Sequence, residues 1–457
     1  MLGRLSLCLA AASLALAAPV RAETLVQALS YAYQNSPRLL AERETVKASD
    51  EGVAQALSGW RPTVQFTGSV GPQQTVTGLV TGAKTAANHS TVLSHPQTVD
   101  LNVTQPVTQF GRTLALTDEA EKAVQAARAR LIGTENTVLF GVIQAYLDCL
   151  RDQQIFRFNL EFEQVMRRQL EVTQARFRVQ QVTRTDVSQA EARLADAKAG
   201  RVQAAAALQI SRAEYERAVG HPAGVLVPVS DHPTIPKNLE DARNLVLHDN
   251  PTVIAAIFDE ESARAAVDAT RAQLYPQIAL VGDVNRGIDT LEPGVEVTAS
   301  SLILRLQMPL YESGSIYSQT RQAANTWGER RSLTDDARLQ ALQALMQSWL
   351  TVGQARQSVA FFTESIRANT SAAQDVQQEA QAGLRTVLDV LNADQELFSG
   401  RVNLATSEHD LLLNEYSVAE DLGRVTAADL KLPVKLYDPD KHYRAVRGAW
   451  IGLNPNP

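Results

Sequence analysis

Cysteine is almost missing from this sequence: Cys8 and Cys149 are the only two among 457 residues. Cys8 lies in a segment patterned as an export signal, so a processed chain keeps one thiol and can form no internal disulfide. Positive charge is also scarce, with 43 Lys and Arg against 50 Asp and Glu. That balance excludes a nucleic-acid binder built on clustered basic residues. Aromatics make up 5% of the chain, low for a globular enzyme, and the 7 histidines are scattered singly. No Ser/His/Asp or Cys/His set stands out, so no catalytic activity is expected. Past the N-terminus there is no apolar run long enough for a transmembrane helix. Proline is absent between Pro106 and Pro222 and again between Pro309 and Pro433, leaving two long stretches free to be helix.

The features that are present begin at the N-terminus. Arg4 precedes an apolar run, Leu5 to Ala18, and Pro19-Val20-Arg21-Ala22 then offers a small residue to a signal peptidase. Residues 1–22 are therefore expected to be a signal peptide, and the chain to be exported. Cys149, beside Tyr146 and Leu150 in a helical pattern, reads as a packed thiol.

Beyond the signal, the chain is written twice. Asn35-Ser36-Pro37 recurs as Asp249-Asn250-Pro251 and Trp60-Arg61-Pro62 as Leu274-Tyr275-Pro276, both 214 positions on. Gln105-Pro106 then matches Met308-Pro309, Gly111 matches Gly314, Thr183-x-x-Asp186-Val187 matches Thr386-x-x-Asp389-Val390, and Gly220 matches Gly423, all 203 positions on. Two tight groups of offsets point to an internal duplication. The change of offset places extra length between Pro62 and Pro106. Residues 71–97, rich in Gly, Thr, Pro and Ser, are expected to hold it as a surface loop.

The segments around that loop alternate with period two. Val64, Phe66 and Val70 oppose Thr63, Gln65, Thr67 and Ser69, and Val99, Leu101 and Val103 oppose Asp100, Asn102 and Thr104. Ile278, Leu280 and Val284 repeat the pattern, as do Leu302, Leu304, Leu306 and Met308. Each predicts a half-buried strand of roughly 10 residues, the length a tilted strand needs to cross a bilayer. The rest reads as helix. Leu139, Ile143, Tyr146 and Leu150, like Leu339, Leu342, Met346 and Trp349, follow coiled-coil spacing. A single helix from Gly111 to Gln181 would span on the order of 100 Å at ~1.5 Å per residue.

Four strands cannot close a barrel, and an open edge in lipid strands unpaired backbone groups. Self-association is therefore expected; eight strands would fill their own interior, and about twelve are the fewest that leave an open conduit, so a trimer or a larger ring is expected.

The duplicated plan, the Gln105-Pro106…Gly111-Arg112 strand-to-helix junction and the two Thr-x-x-Asp-Val turns resemble the TolC family of outer-membrane efflux proteins over essentially the whole chain past the signal. The tail, Leu432-Pro433…Tyr437-Asp438-Pro439…His442-Tyr443-Arg444…Trp450, is similar to that of members serving type I secretion. The resemblance implies a mainly α fold with β: a long α-helical coiled-coil barrel joined to a transmembrane β-barrel, completed by trimerisation, with two internal repeats. It further implies a passive, gated exit duct in the outer membrane of a Gram-negative bacterium, its helices reaching into the periplasm. Implied partners are two further copies, outer-membrane lipid, a periplasmic adaptor and an inner-membrane ABC or proton-driven transporter; nucleic acid is not among them. The expected layout is a first repeat at 23–222 (strands near 62–71 and 98–106, helices 111–220), a linker at 223–238, a second repeat at 239–432 (strands near 276–286 and 300–310, helices 313–423) and a tail at 433–457. The cargo is open between a secreted polypeptide and small molecules.

The turns carry the candidate site. Thr183 with Asp186, and Thr386 with Asp389, are spaced as helix capping boxes. The resemblance adds a gating role at the periplasmic aperture for Arg385 and Asp389. Asn392 stands where many relatives have a second acid, and Gln180 where the second repeat has Gly383. No cofactor is expected. His89, His95 and Asp100 lack tight metal-ligand spacing, and Thr81-Gly82-Ala83-Lys84-Thr85 interrupts the Gly-Lys pair of a phosphate loop. The competing expectation is a periplasmic coiled-coil adaptor or structural protein.

Overall fold

The computed structural model describes residues 22–78, 89–290, 292 and 294–454. The expected signal peptide, apart from its last residue, and the Thr81–Thr85 stretch lie outside the described residues. Helices α1 (Leu25–Asn35) and α2 (Pro37–Leu57) lead through a 3-10 turn at Ser58–Trp60 into strand β1 (Thr63–Val70). Next come β2 (Gln73–Gly78), β3 (His89–Ser94), β4 (Gln97–Thr108), then α3 (Arg112–Arg178) and α4 (Arg184–Val219). The series then recurs as α5 (Leu239–Asp249), α6 (Pro251–Arg271), a 3-10 turn at Ala272–Leu274, β5 (Gln277–Ile288), β6 (Glu296–Gln307), α7 (Ser315–Gln381) and α8 (Val387–Asp421), with α9 (Pro439–Val446) last. Counterparts match in length: α2 and α6 have 21 residues each, α3 and α7 67 each.

Local chemistry explains the boundaries. Thr24 caps α1 in a box with Gln27, and Asn250 caps α6 with Pro251 at its first position, where a missing N–H costs nothing. Gly220 ends α4 at a φ of 105°, a conformation open to glycine without penalty.

One compact unit comprises residues 41–133, 247–341 and 437–457. It holds a four-stranded antiparallel sheet in the order β1-β4-β5-β6. The β4–β5 ladder joins the hairpins of the two halves, a pairing that alternation alone does not reveal. β4 runs longer than expected and carries Pro106, tolerated because the register shifts between Pro106 and Thr108. Within the stretch 71–97, expected as a loop, β2 and β3 instead pair as a ribbon, from Gln73↔Ser94 to Gly78↔His89. Thr75, Val76, Thr91 and Val92 supply β-branched residues to it, and their preference for extended backbone outweighs the glycine content.

The register sorts the sheet into two chemical faces. Val64, Val103, Gly282 and Leu302 form one cross-strand row, and Phe66, Leu101 and Val284 lie in the next, with Leu280 and Leu304 on the same side. Val64, Phe66, Leu101, Leu280, Val284, Leu302 and Leu304 are all exposed. On the other face Gln65, Asn102, Asp283 and Ser301 form a row, followed by Thr67, Asp100, Asn285 and Ala299. A sheet in water would bury its apolar face; this one leaves it bare. Among the described residues the outer edges of β1 and β6 have no strand partner.

The other unit comprises residues 1–40, 134–246 and 342–436 as far as they are described. Its helices bury Leu139, Ile143, Tyr146, Tyr215, Leu345 and Leu391. The Tyr146 hydroxyl accepts the Val227 N–H at 3.0 Å and lies 2.6 Å from the Val227 carbonyl, fixing the inter-repeat segment on α3. Cys149 is buried, and burial pushes its thiol pKa up, as for an unreactive packed side chain. Of the stripe expected on α7, Leu339 and Met346 are exposed within this chain, and the seam that the chain itself buries is Ala341, Leu345, Ser348, Val352 and Ala355. This helix carries two apolar stripes, and spacing cannot say which one its own chain covers.

Candidate functional site: two helix turns

The turns joining α3 to α4 and α7 to α8 both lie in the helical unit. In the first, Thr183 Oγ1 accepts the Asp186 N–H at 3.3 Å while Asp186 Oδ2 takes the Thr183 N–H at 2.7 Å. In the second, Thr386 Oγ1 accepts the Asp389 N–H at 3.2 Å and Asp389 Oδ2 the Thr386 N–H at 3.0 Å. Each pair is a reciprocal cap that satisfies backbone donors the first helical turn cannot reach. Both threonine hydroxyls also donate to the carboxylate at 2.8 Å. The Thr386 backbone and hydroxyl bonds, helped by the Arg385 charge, hold the Asp389 carboxyl below the usual aspartate range.

Arg385 reaches back rather than forward. Its Nε donates to Glu379 Oε2 at 2.7 Å, and this pair keeps the guanidinium firmly charged. Asn392 accepts a bond from Arg193 Nη2 at 3.1 Å, which ties α8 to α4. The amide at this position is thus a link between helices. Gln180 adopts a φ of 62° and Gly383 one of 79°, so both turns pass through the left-handed region at the same relative position.

Two features escaped the sequence reading. Glu379 could not be paired with Arg385 by spacing alone, because the chain reverses between them. Asp394 is the other: it is only 7% exposed and accepts bonds from Gln377 of α7 at 3.0 Å and Gln169 of α3 at 3.4 Å. Burial raises its pKa, against the lowering effect of the two amides. It lies beside a core cluster of Phe162, Met166, Ala190, Leu194, Ala197 and Leu391, where Phe162 stacks on Phe398 at 4.4 Å. The available signal was an aspartate breaking the apolar series Leu391, Asp394, Phe398 at helical spacing.

Two further links join the helices, one of them extended by an ion pair within α3. Arg201 and Arg167 each bind Glu163 at 2.6 Å, and Arg176 donates to the Ala380 carbonyl at 3.4 Å. The arrangement is a set of polar ties within and between long helices, with no nucleophile–base pair among these residues.

Known proteins share this architecture. The family model described as outer membrane efflux protein matches residues 28–221 and 242–424, one segment in each half. Outer membrane efflux protein BepC of Brucella suis is 32% identical over 434 residues, covering 94% of this chain and 92% of that one. Outer membrane protein TolC of Vibrio cholerae is 23% identical across 91% of this chain and 94% of its own. Alkaline protease secretion protein AprF of Pseudomonas aeruginosa is 24% identical across 65% of this chain and 63% of its own. Among solved structures, the Campylobacter jejuni CmeC outer membrane channel superposes with a TM-score of 0.76 at 13% identity, covering 93% of this chain and 89% of that one. The chain belongs to the outer membrane efflux protein family, the TolC-type channels.

Proposed function

We propose that the chain is one protomer of a trimeric exit duct in the outer membrane of a Gram-negative bacterium. The observation that carries this reading is the sheet: mainly apolar on one face, mainly polar on the other, and open at both edges among the described residues. Strand directions alternate across β1-β4-β5-β6, so β6 of one copy would meet β1 of the next antiparallel, and a ring closes without a parallel joint. Closure removes the open edges, places the bare valines and leucines against lipid, and leaves Gln65, Asn102 and Asp283 facing water in the lumen. The uncovered α7 stripe of Leu339, Met346, Leu350 and Phe361 fits the same picture, as a helix face kept for a neighbouring copy. A periplasmic adaptor has no use for two strand pairs of membrane length.

In this reading the two turns form the periplasmic aperture, and Arg385 and Asp389 help hold it shut. A periplasmic adaptor would dock on the helices, and an inner-membrane ABC or proton-driven transporter would power transport. The cargo is a secreted polypeptide, small molecules or both. Relatives named for efflux and for alkaline protease secretion stand on either side of that choice.

The test is conductance across a planar lipid bilayer with the purified, detergent-extracted protein. Discrete long-lived steps are expected, larger in Arg385→Ala and Asp389→Ala. A protein that stays soluble without detergent and gives no steps would overturn the reading.

A further inference from the structure

We propose that the C-terminal segment Trp450–Leu453 is a lipid anchor, laid in the phospholipid boundary of the leaflet at the foot of the sheet. The proposal rests on reading the sheet as a membrane wall.

The tail climbs toward the sheet by successive ties within one compact unit. Asp440 pairs with Arg128 at 2.7 Å, a residue about 24 Å along α3 from its first turn at ~1.5 Å per residue. His442 then bonds the buried Asp50 of α2 at 3.0 Å. Tyr443 and Arg447 both bond Glu121, at 3.2 and 2.9 Å, only about 14 Å from the start of α3 by the same rise. Finally Arg61, just before β1, donates Nη1 to the Ala449 carbonyl at 2.5 Å, and its guanidinium lies 5.2 Å from the centre of the Trp450 ring. Trp450 is thereby delivered to the level where β1 begins.

An aromatic belt marks that level. The antiparallel order places the start of β1, the end of β4, the start of β5 and the end of β6 at one end of the sheet. Each carries an exposed aromatic residue next to the strand: Trp60, Phe110, Tyr275 and Tyr311. Amphipathic rings gather at the interface between hydrocarbon and headgroups, where one edge is apolar and the other wet. Trp450 extends this belt. Beyond it Ile451 is 96% exposed and Leu453 wholly so, and the run Gly448 to Asn454 contains no charged residue. Apolar side chains held at that height by a chain of ion pairs have lipid as the adjoining phase.

The test uses the full processed chain, with buried Cys149 retained, in bilayers of phosphatidylethanolamine and phosphatidylglycerol. An environment-sensitive fluorophore is attached at Ile451→Cys, at Val64→Cys on the apolar sheet face, or at Glu364→Cys on α7 as a water reference. Nitroxide-labelled lipid and aqueous iodide serve as quenchers. Loss of most emission to nitroxide lipid at 451, as at 64, with a blue shift relative to 364, is the expected result. Quenching of 64 by lipid while 451 responds to iodide like 364 overturns the anchor and spares the duct. Protection of 451 from both quenchers means that protein covers it, a second copy included, and also overturns the anchor. A position 64 reached only by iodide removes the membrane wall, and the anchor with it.

Discussion

The turn between α3 and α4 and the turn between α7 and α8 share a cap and differ in almost everything around it. Both start their returning helix with a Thr/Asp box and both pass through one left-handed residue. In the second turn that residue is Gly383, whereas the first forces Gln180 into the same region at a steric cost. The second adds the Arg385–Glu379 tie; at the equivalent positions the first has Val182 and Arg176, and Arg176 reaches across to Ala380. The second buries Asp394 between helices; the counterpart Glu191 is exposed. The two halves share their helix starts, but the first turn carries a left-handed glutamine and no ion pair at the Arg385–Glu379 positions, whereas the second carries a glycine and that pair. The difference teaches that the residues that start a helix and those that tie its turn can be separated: the caps are held in common, and the ties around them are not.

Exchanging the left-handed residues should produce the largest effect. Gly383→Ala should weaken its turn by about 1–2 kcal/mol, because a Cβ there meets open space and only the backbone conformation resists it. Gln180→Gly should strengthen the first turn by somewhat less, since glycine also frees the unfolded chain. Protection factors from native-state hydrogen exchange, read at each turn, measure both. Equal responses at the two turns would break the comparison.

Removing the caps should make the halves alike. Thr183→Ala and Thr386→Ala should each cost about 1 kcal/mol of local opening free energy by the same exchange measurement. A large inequality would mean that one cap carries more than its helix start.

The buried carboxylate should separate them again, by less. Ionised Asp394 costs stability: its folded pKa is raised, so the penalty is absent below the unfolded value and complete once pH exceeds the folded one. Asp394→Asn keeps an acceptor for one of Gln169 and Gln377 and can donate to the other's amide oxygen once that amide turns over, so at neutral pH it should raise the melting temperature of the helical unit and flatten its pH dependence. Glu191→Gln should do neither. Asp389 has the opposite sign. Its depressed carboxyl contributes stability above the unfolded value, and this is lost as pH falls through the folded one, an acid-side loss that Asp389→Asn should abolish.

Arg385→Ala should have the smallest effect on stability, because both partners are half exposed, and added salt should erase what remains. Its effect should instead appear as a larger conductance step. No change in conductance, with Asp389→Ala equally silent, would assign both residues to the helix start alone.

Much of this was legible in the sequence because it was local or repeated. Period-two runs marked the four sheet strands, proline-free stretches marked the long helices, and Thr-x-x-Asp marked two caps that the structure contains. Partner choice was not legible. Spacing on α7 suggested the seam at Leu339 and Met346 while the chain buries the neighbouring one, since periodicity shows that a face is apolar but not what covers it. The pairing of Gln73–Gly78 with His89–Ser94 was hidden under turn-forming residues. Asp394 and Glu379 took their roles from helices brought together only by the fold.

The β4–β5 ladder sets the order in which the molecule can be made. Leu101 pairs with Val284, a residue 183 positions later, so the centre of the sheet waits until both halves of the chain are present. Closing so long a loop costs entropy before any pairing repays it, which makes this a late step in folding. Until then each half holds one strand pair with a bare apolar face and two open edges, the surface that aggregates most readily in water. Half-length chains should therefore never yield the four-stranded sheet, and the chain needs shielding for as long as its two halves remain apart.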